Sequence, residues 1–184
     1  MSFKSLYSSI QTKLKKSEEG EDSASHIVDN VMGLLRVSVK RGINLAVRDF
    51  LSSDPYVVLS YGKQKVKTRV IKKSVNPEWN ENLALYIADS SIPIKMVVYD
   101  YDRLSRDDVM GDAVVDIKPF VSAAQKNLRG FPTGTVIGSV KPAEDNCLVE
   151  ESSIVVEDGK AVQNMFIRLR NVECGEIQIQ LHWG

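Results

Sequence analysis

The sequence predicts an all-β protein, an antiparallel sandwich of short strands, and three observations carry that prediction. From Gly33 onward apolar residues recur at every second position. Gly, Asn, Pro and Asp gather in the gaps between these runs, as turns between strands require. The chain has 184 residues, the length of one domain with decorations and enough to bury a substantial core.

Residues 1–29 stand apart from this pattern. Phe3, Leu6, Tyr7, Ile10 and Leu14 fall at i, i+3, i+4, i+7 and i+11, an apolar helical stripe with Lys4, Lys13, Lys15 and Lys16 outside it. The polar stretch Ser17–Ser25 reads as a linker, and the tail is either partly disordered or a membrane-surface or partner-docking helix. The period then becomes two. Leu35, Val37 and Val39 open the first strand, Gly33–Arg41, and Val57 with Leu59 marks the second. Gln64–Val70 alternates, followed by Leu83, Leu85 and Ile87, then Ile94, Met96 and Val98, then Ala113 and Val115. Pro119–Leu128 is expected to be a short helix, with Pro at its N-terminal end and Gly130 just past its C-terminal end. Residues 131–152 are turn-rich, and Ser153–Val156 and Met165–Leu169 return to strand character. Gly175–Trp183 closes the domain, with Ile177, Ile179, Leu181 and Trp183 on one face. The organisation expected is a tail at 1–29 and a domain at 30–184 carrying an insert at about 118–165, a connection long enough to suggest a function of its own.

Composition limits the function classes. Lys+Arg 24 balance Asp+Glu 24, so no bulk attraction to nucleic acid is expected. The charge is nevertheless segregated. Residues 63–77 hold Lys63, Lys65, Lys67, Arg69, Lys72 and Lys73 with no acid before Glu78, and 100–112 hold five aspartates against two arginines. Such a pairing of patches suits an anionic surface approached partly through a bound cation. Cys147 and Cys174 have no metal-type spacing, and with only His26 and His182 a zinc site is not expected; a reduced intracellular compartment is the simpler reading. No stretch approaches eighteen apolar residues, so membrane binding is expected to be peripheral.

The acidic residues carry the first functional hypothesis. Asp100 and Asp102 follow the run Ile94–Val98, Asp108 lies eight positions after Asp100, and Asp49 and Asp54 follow another strand-like run. Asp108, rather than the adjacent Asp107, holds the i+8 position. Aspartates enrich turns for local reasons, but five gathered at one sheet edge repel each other unless a hard cation sits among them. Calcium, with six to eight oxygen ligands, is that cation. A second hypothesis concerns Lys63, Lys65, Lys67 and Arg69, whose strand period makes a basic ladder able to contact phosphoinositide or phosphatidylserine headgroups; a solvated strand face is the competing reading. Phe50, Leu51 and Leu104 sit at the tips of the acidic loops, placed either to enter the headgroup boundary or to pack locally. Trp79 and Trp183 read as core residues.

Three strings make a resemblance specific: Arg48 through Tyr56, Asn76-Pro77-Glu78-Trp79-Asn80-Glu81, and Tyr99 through Gly111. They resemble the signature segments of C2 domains. The resemblance implies an eight-stranded antiparallel C2 sandwich, of type II-like topology, that chelates calcium between loops at one end. By position the ligands would be the side chains of Asp49, Asp54, Asp100, Asp102 and Asp108, with main-chain carbonyls at Arg48 and Tyr101. The first loop is one residue shorter than in many relatives. Further strings, Gly33–Val37, Lys67–Lys73, Asn146–Ser152 and Leu169–Glu176, resemble the small plant C2-domain abscisic-acid-related proteins over about residues 30–184. That resemblance implies calcium-dependent binding to anionic phospholipid membranes and recruitment of abscisic-acid receptors of the PYR/PYL type. It also implies a peripheral place at the plasma membrane, with cytoplasmic and nuclear pools. A rice relative described as a GTPase-activating protein gives the alternative, regulation of a small or YchF-like GTPase.

No catalytic site is expected. The chain has no Gly-rich phosphate loop, no nucleophile with a partnered His and no hydrolase-type His spacing. Arg103 or Arg106 as a finger in a partner GTPase rests on the family analogy alone.

Overall fold

The computed structural model describes residues 31–47, 53–103 and 105–184, so the amphipathic stripe expected in the tail lies outside the described residues. Among the described residues ten strands and one helix follow in order: β1 (Gly33–Ile43), β2 (Pro55–Tyr61), β3 (Gln64–Lys67), β4 (Glu78–Ile87), β5 (Ile94–Asp100), β6 (Asp108–Val115), α1 (Lys118–Ala124), β7 (Val136–Val140), β8 (Ser152–Glu157), β9 (Lys160–Arg168) and β10 (Glu176–Trp183). They form two antiparallel sheets, β4-β1-β10-β9-β8-β7 and β3-β2-β5-β6.

The two-residue period does what it predicts. Leu35, Val37 and Val39 of β1, Leu85 and Ile87 of β4, Met96 and Val98 of β5 and Ile177, Ile179 and Leu181 of β10 are at most 1% exposed and meet between the sheets. Trp79 is fully buried with its indole N–H donating to Pro55 O at 3.3 Å. Trp183 packs at the core's edge, its ring so close to Gly33 that a Cβ there would lie 2.3 Å from it. The first and last strands pair along their length, Leu35 opposite Trp183 through Ile43 opposite Glu176. This is the closure expected of a sandwich whose first strand leads directly toward the first acidic loop.

The expected strand count was eight, and the described residues form ten. Strand β8 answers to the expected run Ser153–Val156, whereas β7 falls in the stretch read as turn-rich; both come from the insert and extend the larger sheet beyond β9. Gly138, Ser153 and Ile154 register along that new edge. The insert is therefore part of the core rather than an appendage: Phe120 and Val121 of α1 and Val156 of β8 have no exposed surface. Strand β9 begins at Lys160, five residues ahead of the expected Met165, because Glu157 and Lys160 pair across a tight turn in which Asp158 and Gly159 take positive φ. Helix α1 ends earlier than Gly130 suggested. Asn127 accepts the Arg129 N–H at 3.2 Å, a local turn that competes with a further helical turn, and Leu128 folds into the core.

Candidate calcium and membrane site

Strand register brings the predicted acids to one end of the smaller sheet. Pro55 opposes Asp100 and Asp100 opposes Asp108, so β2 starts, β5 stops and β6 starts at a common level. Asp54 immediately precedes β2, and its backbone N–H donates to Asp100 Oδ1 at 2.6 Å. Tyr101 N–H donates back to Asp54 O at 3.0 Å, lacing the first acidic loop to the β5–β6 loop. Asp54 Oδ1 accepts Lys73 N–H at 2.8 Å from the segment after β3. Asp100 is 1% exposed, whereas Asp108 and Tyr101 are exposed and Asp102 is half-buried.

The β5–β6 loop is closed upon itself by Asp107. Its Oδ1 accepts the Asp102 N–H at 3.0 Å and its Oδ2 accepts the Tyr56 hydroxyl at 2.6 Å. Ser105 Oγ donates to Asp102 Oδ2 at 2.8 Å. The hydrogen bond from Tyr56, then that from the Asp102 N–H, holds the Asp107 carboxyl below the usual carboxylate range, with Lys67 adding a smaller attraction. Burial, followed by the bond to Asp107, pushes the Tyr56 phenol well above its ordinary value. The phenol therefore stays protonated and donates.

Of the predicted ligands, Asp54, Asp100, Tyr101, Asp102 and Asp108 lie at this end; Arg48 and Asp49 fall outside the described residues, as do Phe50, Leu51 and Leu104. The donors present are carboxylate oxygens, the ligand type calcium takes, and they fit that ion in kind. Among the described residues no three acidic, His or Cys side chains already gather closely enough to hold it.

The basic ladder is shorter as a strand than expected. Lys65 and Lys67 lie in β3, but Lys63 sits in the turn beside Gly62, which takes φ +54°. Arg69 lies beyond the strand and is drawn to β4, its guanidinium 3.2 Å from Glu81 Oε1. Glu81 also accepts the Arg69 N–H at 3.0 Å, which turns this residue toward its neighbour rather than into the ladder. In exchange the register adds Lys95, which the alternation of Ile94 and Met96 marks as outward-facing but does not link to β3. Lys65 opposes Ser60 and Ser60 opposes Lys95, so these residues share the outer face of the sheet. Beside them Tyr56 and Tyr99 stack with ring centroids 5.4 Å apart, and Lys67 Nζ lies 5.5 Å from the Tyr56 centroid. Sequence reasoning missed Asp107 and Tyr56 as organising residues, since their contact crosses from one loop to another strand.

Residues 33–130 match the C2 domain family. The chain is 56% identical over 159 residues to Protein C2-DOMAIN ABA-RELATED 1 of Arabidopsis thaliana, covering 85% of this chain and 95% of that protein. It is 55% identical over 159 residues to Protein C2-DOMAIN ABA-RELATED 4 of the same plant, covering 86% and 90%. It is also 50% identical over 157 residues to a protein of Oryza sativa subsp. indica named GTPase activating protein 1, covering 85% and 94%. Among solved structures, a calcium-bound pair of C2 domains from Extended-Synaptotagmin 2 matches with TM-score 0.58 at 19% identity, over 83% of this chain and 46% of that one. A C2 domain of a plant Extended Synaptotagmin 1 matches with TM-score 0.54 at 18% identity, over 83% and 95%. The structural matches establish the sandwich, and the sequence matches go further: the chain belongs to the C2-domain ABA-related family of C2 proteins.

Proposed function

We propose that the protein is a calcium-dependent, phospholipid-binding adaptor that brings abscisic-acid receptors of the PYR/PYL type to membranes. The observation that carries this reading is the adjacency of two charged surfaces. Asp54, Asp100 and Asp108 end at one level of the smaller sheet, and Lys67, opposite Val58, then Lys65 and Lys95, both level with Ser60, project from its outer face further along the strands. Calcium, when bound, supplies positive charge that carboxylates and lipid phosphates can share. The chain's own part is to keep the carboxylates at one end, with Asp100 fastening Asp54, and to present ammonium groups to the same headgroup layer. Each such basic side chain near an anionic surface contributes on the order of 1 kcal/mol. The protein acts by binding, and its place is peripheral at the plasma membrane with cytoplasmic and nuclear pools. Among the described residues no helix is long and apolar enough to cross a bilayer.

The decisive experiment is co-sedimentation with phosphatidylserine vesicles in calcium and in chelator. Calcium-dependent pelleting is the expected result, and equal pelleting in both would leave a calcium-independent interaction module. A second reading, activation of a small or YchF-like GTPase by the docked protein, is favoured by the name of the rice relative and by the exposure of Arg103 and Arg106. Single-turnover GTP hydrolysis by candidate GTPases, with Arg103→Ala and Arg106→Ala compared with the parent, tests it.

A further inference from the structure

The two sheets have four edges, and three of them are guarded against a further strand. β3 is four residues long and carries Lys65 and Lys67, charges that disfavour edge pairing. The edge of β4 is capped by the Gln64 amide, which accepts the Tyr86 N–H at 3.0 Å and donates to Tyr86 O at 2.7 Å. Asp112 of β6 is bridged by Arg170, N–H to O in both directions. The fourth edge, β7, is bare. Its five residues, Val136-Ile137-Gly138-Ser139-Val140, carry no charge. Among the described residues no strand lies beyond it, and α1 packs across β7, β9 and β10 with Phe120 and Val121 in the core, beneath the sheet and not outside it.

Register shows which of its backbone groups are free. Asp158 and Gly159 make a two-residue turn, so the flanking Glu157 and Lys160 exchange both backbone bonds. Alternation then turns Val155 and Ser153 toward β9, and Val156, Ile154 and Ser152 toward β7. The Val156 N–H, donating to Thr135 O at 2.9 Å, follows that alternation. Gly138 opposes Ile154 and Val140 opposes Ser152, which leaves the N–H and C=O of Ser139 pointing away from the sheet. The side chains add a preference. On the outer face the register runs His182, Val162, Val155, Val136. Val162 is 3% exposed and Val136 60%, because this row stops where the sheet does.

We propose that β7 is the docking edge of the adaptor and that its partner protein enters as a seventh strand of the larger sheet: an extended, uncharged segment that bonds the Ser139 backbone and lays an apolar side chain beside Val136. The inference rests on the adaptor reading above and names how the receptor is held. A charge opposite Val136 would lose its water with nothing to pair it, and a docked helix would leave the outward Ser139 N–H without a partner. The edge belongs to the other sheet from Lys65 and Lys95, so docking and membrane binding use separate surfaces.

The test is titration of a PYR/PYL receptor with the full chain, comparing Ser139→Pro and Val136→Lys with the parent, and with calcium-dependent pelleting on phosphatidylserine vesicles run beside it. Ser139→Pro removes the outward N–H while sparing the bonds of Gly138 and Val140 to β8. Each variant is expected to bind the receptor about tenfold more weakly, the cost of one lost hydrogen bond or one stranded charge, and to pellet with vesicles as the parent does. Hydrogen exchange on the parent reads the same contact without a substitution: the Ser139 amide is expected to exchange at least about tenfold more slowly in the complex. Loss of vesicle pelleting marks a variant as misfolded, and the exchange measurement then decides. Full receptor binding by both variants, or unchanged exchange at Ser139, overturns strand addition while the adaptor reading stands. Self-association of the parent that Ser139→Pro abolishes, with receptor binding intact, gives the edge to a second copy and overturns it as well. A parent that binds no receptor overturns both.

Discussion

Asp112 and Arg170 join the two sheets. Asp112 N–H donates to Arg170 O at 3.1 Å, Arg170 N–H donates to Asp112 O at 2.7 Å, and the guanidinium lies 2.9 Å from Asp112 Oδ2. Asn171 donates to the other carboxylate oxygen. The contact ties β6, which leaves the acidic loop, to the segment that leads into β10. Gly111 makes it possible: it holds φ +120°, and a Cβ there would lie 2.7 Å from Val172 Cγ1 and 3.1 Å from Arg170 O.

Gly111→Ala is accordingly expected to destabilise the fold by about 1–3 kcal/mol from backbone strain alone. Asp112→Ala removes a partly exposed ion pair and leaves the backbone bonds, so it is expected to cost less than about 1 kcal/mol. Thermal unfolding of both variants checks the order; a larger loss in Asp112→Ala would mean the side chains, not the backbone approach, hold the sheets together.

Calcium is expected to raise the melting temperature by binding the folded state. Asp100→Ala with Asp102→Ala should abolish that rise, because Asp100 both ends β5 and caps Asp54. An undiminished calcium-induced shift in the double variant would remove these two residues from the ligand set.

Binding to phosphoinositide vesicles should weaken as salt screens the basic face. Lys65→Ala with Lys95→Ala should lower it and flatten its salt dependence, while Arg69→Ala, whose guanidinium is already committed to Glu81, should have the smaller effect. Equal loss from both variants would restore Arg69 to the lipid-facing set.

His182 provides a pH prediction. It lies on β10 directly opposite Arg36 of β1, with Nε2 2.9 Å from Gln180 Oε1. Burial first, then Lys40 and Arg36, lower its pKa; Lys160 acts in the same direction and Glu157 opposes them. The unfolded chain thus binds the proton more readily, so this contribution to stability is full above about pH 6.5 and is lost as pH falls through the folded pKa. His182→Gln is expected to flatten the decline in stability on acidification from neutrality. Denaturant titrations of both chains across that range compare the slopes, and parallel curves would exclude His182 as the cause.

The insert also yields a prediction. Excising 131–150 would remove β7 together with the buried Cys147 and Leu148, and is expected to unfold the larger sheet rather than spare it. Receptor docking is better tested at Phe131 and Val136, which are 48% and 60% exposed. Phe131→Ser with Val136→Ser should leave calcium-dependent liposome binding in place and reduce receptor pull-down. Undiminished pull-down would put the docking surface elsewhere on the chain.

The sequence by itself determined the sandwich and its inner face. An alternation such as Leu35-Val37-Val39 or Ile177-Ile179-Leu181 permits one burial pattern, and burying apolar area is the largest local driving force. It also placed Asp54, Asp100 and Asp108 near strand ends, because Pro55 and the run Ile94–Val98 mark where strands begin and end. Only the tertiary structure decided which strands are neighbours. Period two says which residues share a face of one strand, yet it carries no register between strands distant in sequence. Hence Lys95 joined Lys65 only when β5 paired with β2, and Arg69 left the ladder when β4 brought Glu81 beside it. The insert's strands were absorbed into the larger sheet for a related reason: β9 had an open edge whose backbone groups needed partners, and β8 and then β7 supplied them. The Tyr56–Asp107 bond belongs to the same class. Its two residues are 51 positions apart, and only the packing of a loop against the outer face of a strand brings them together.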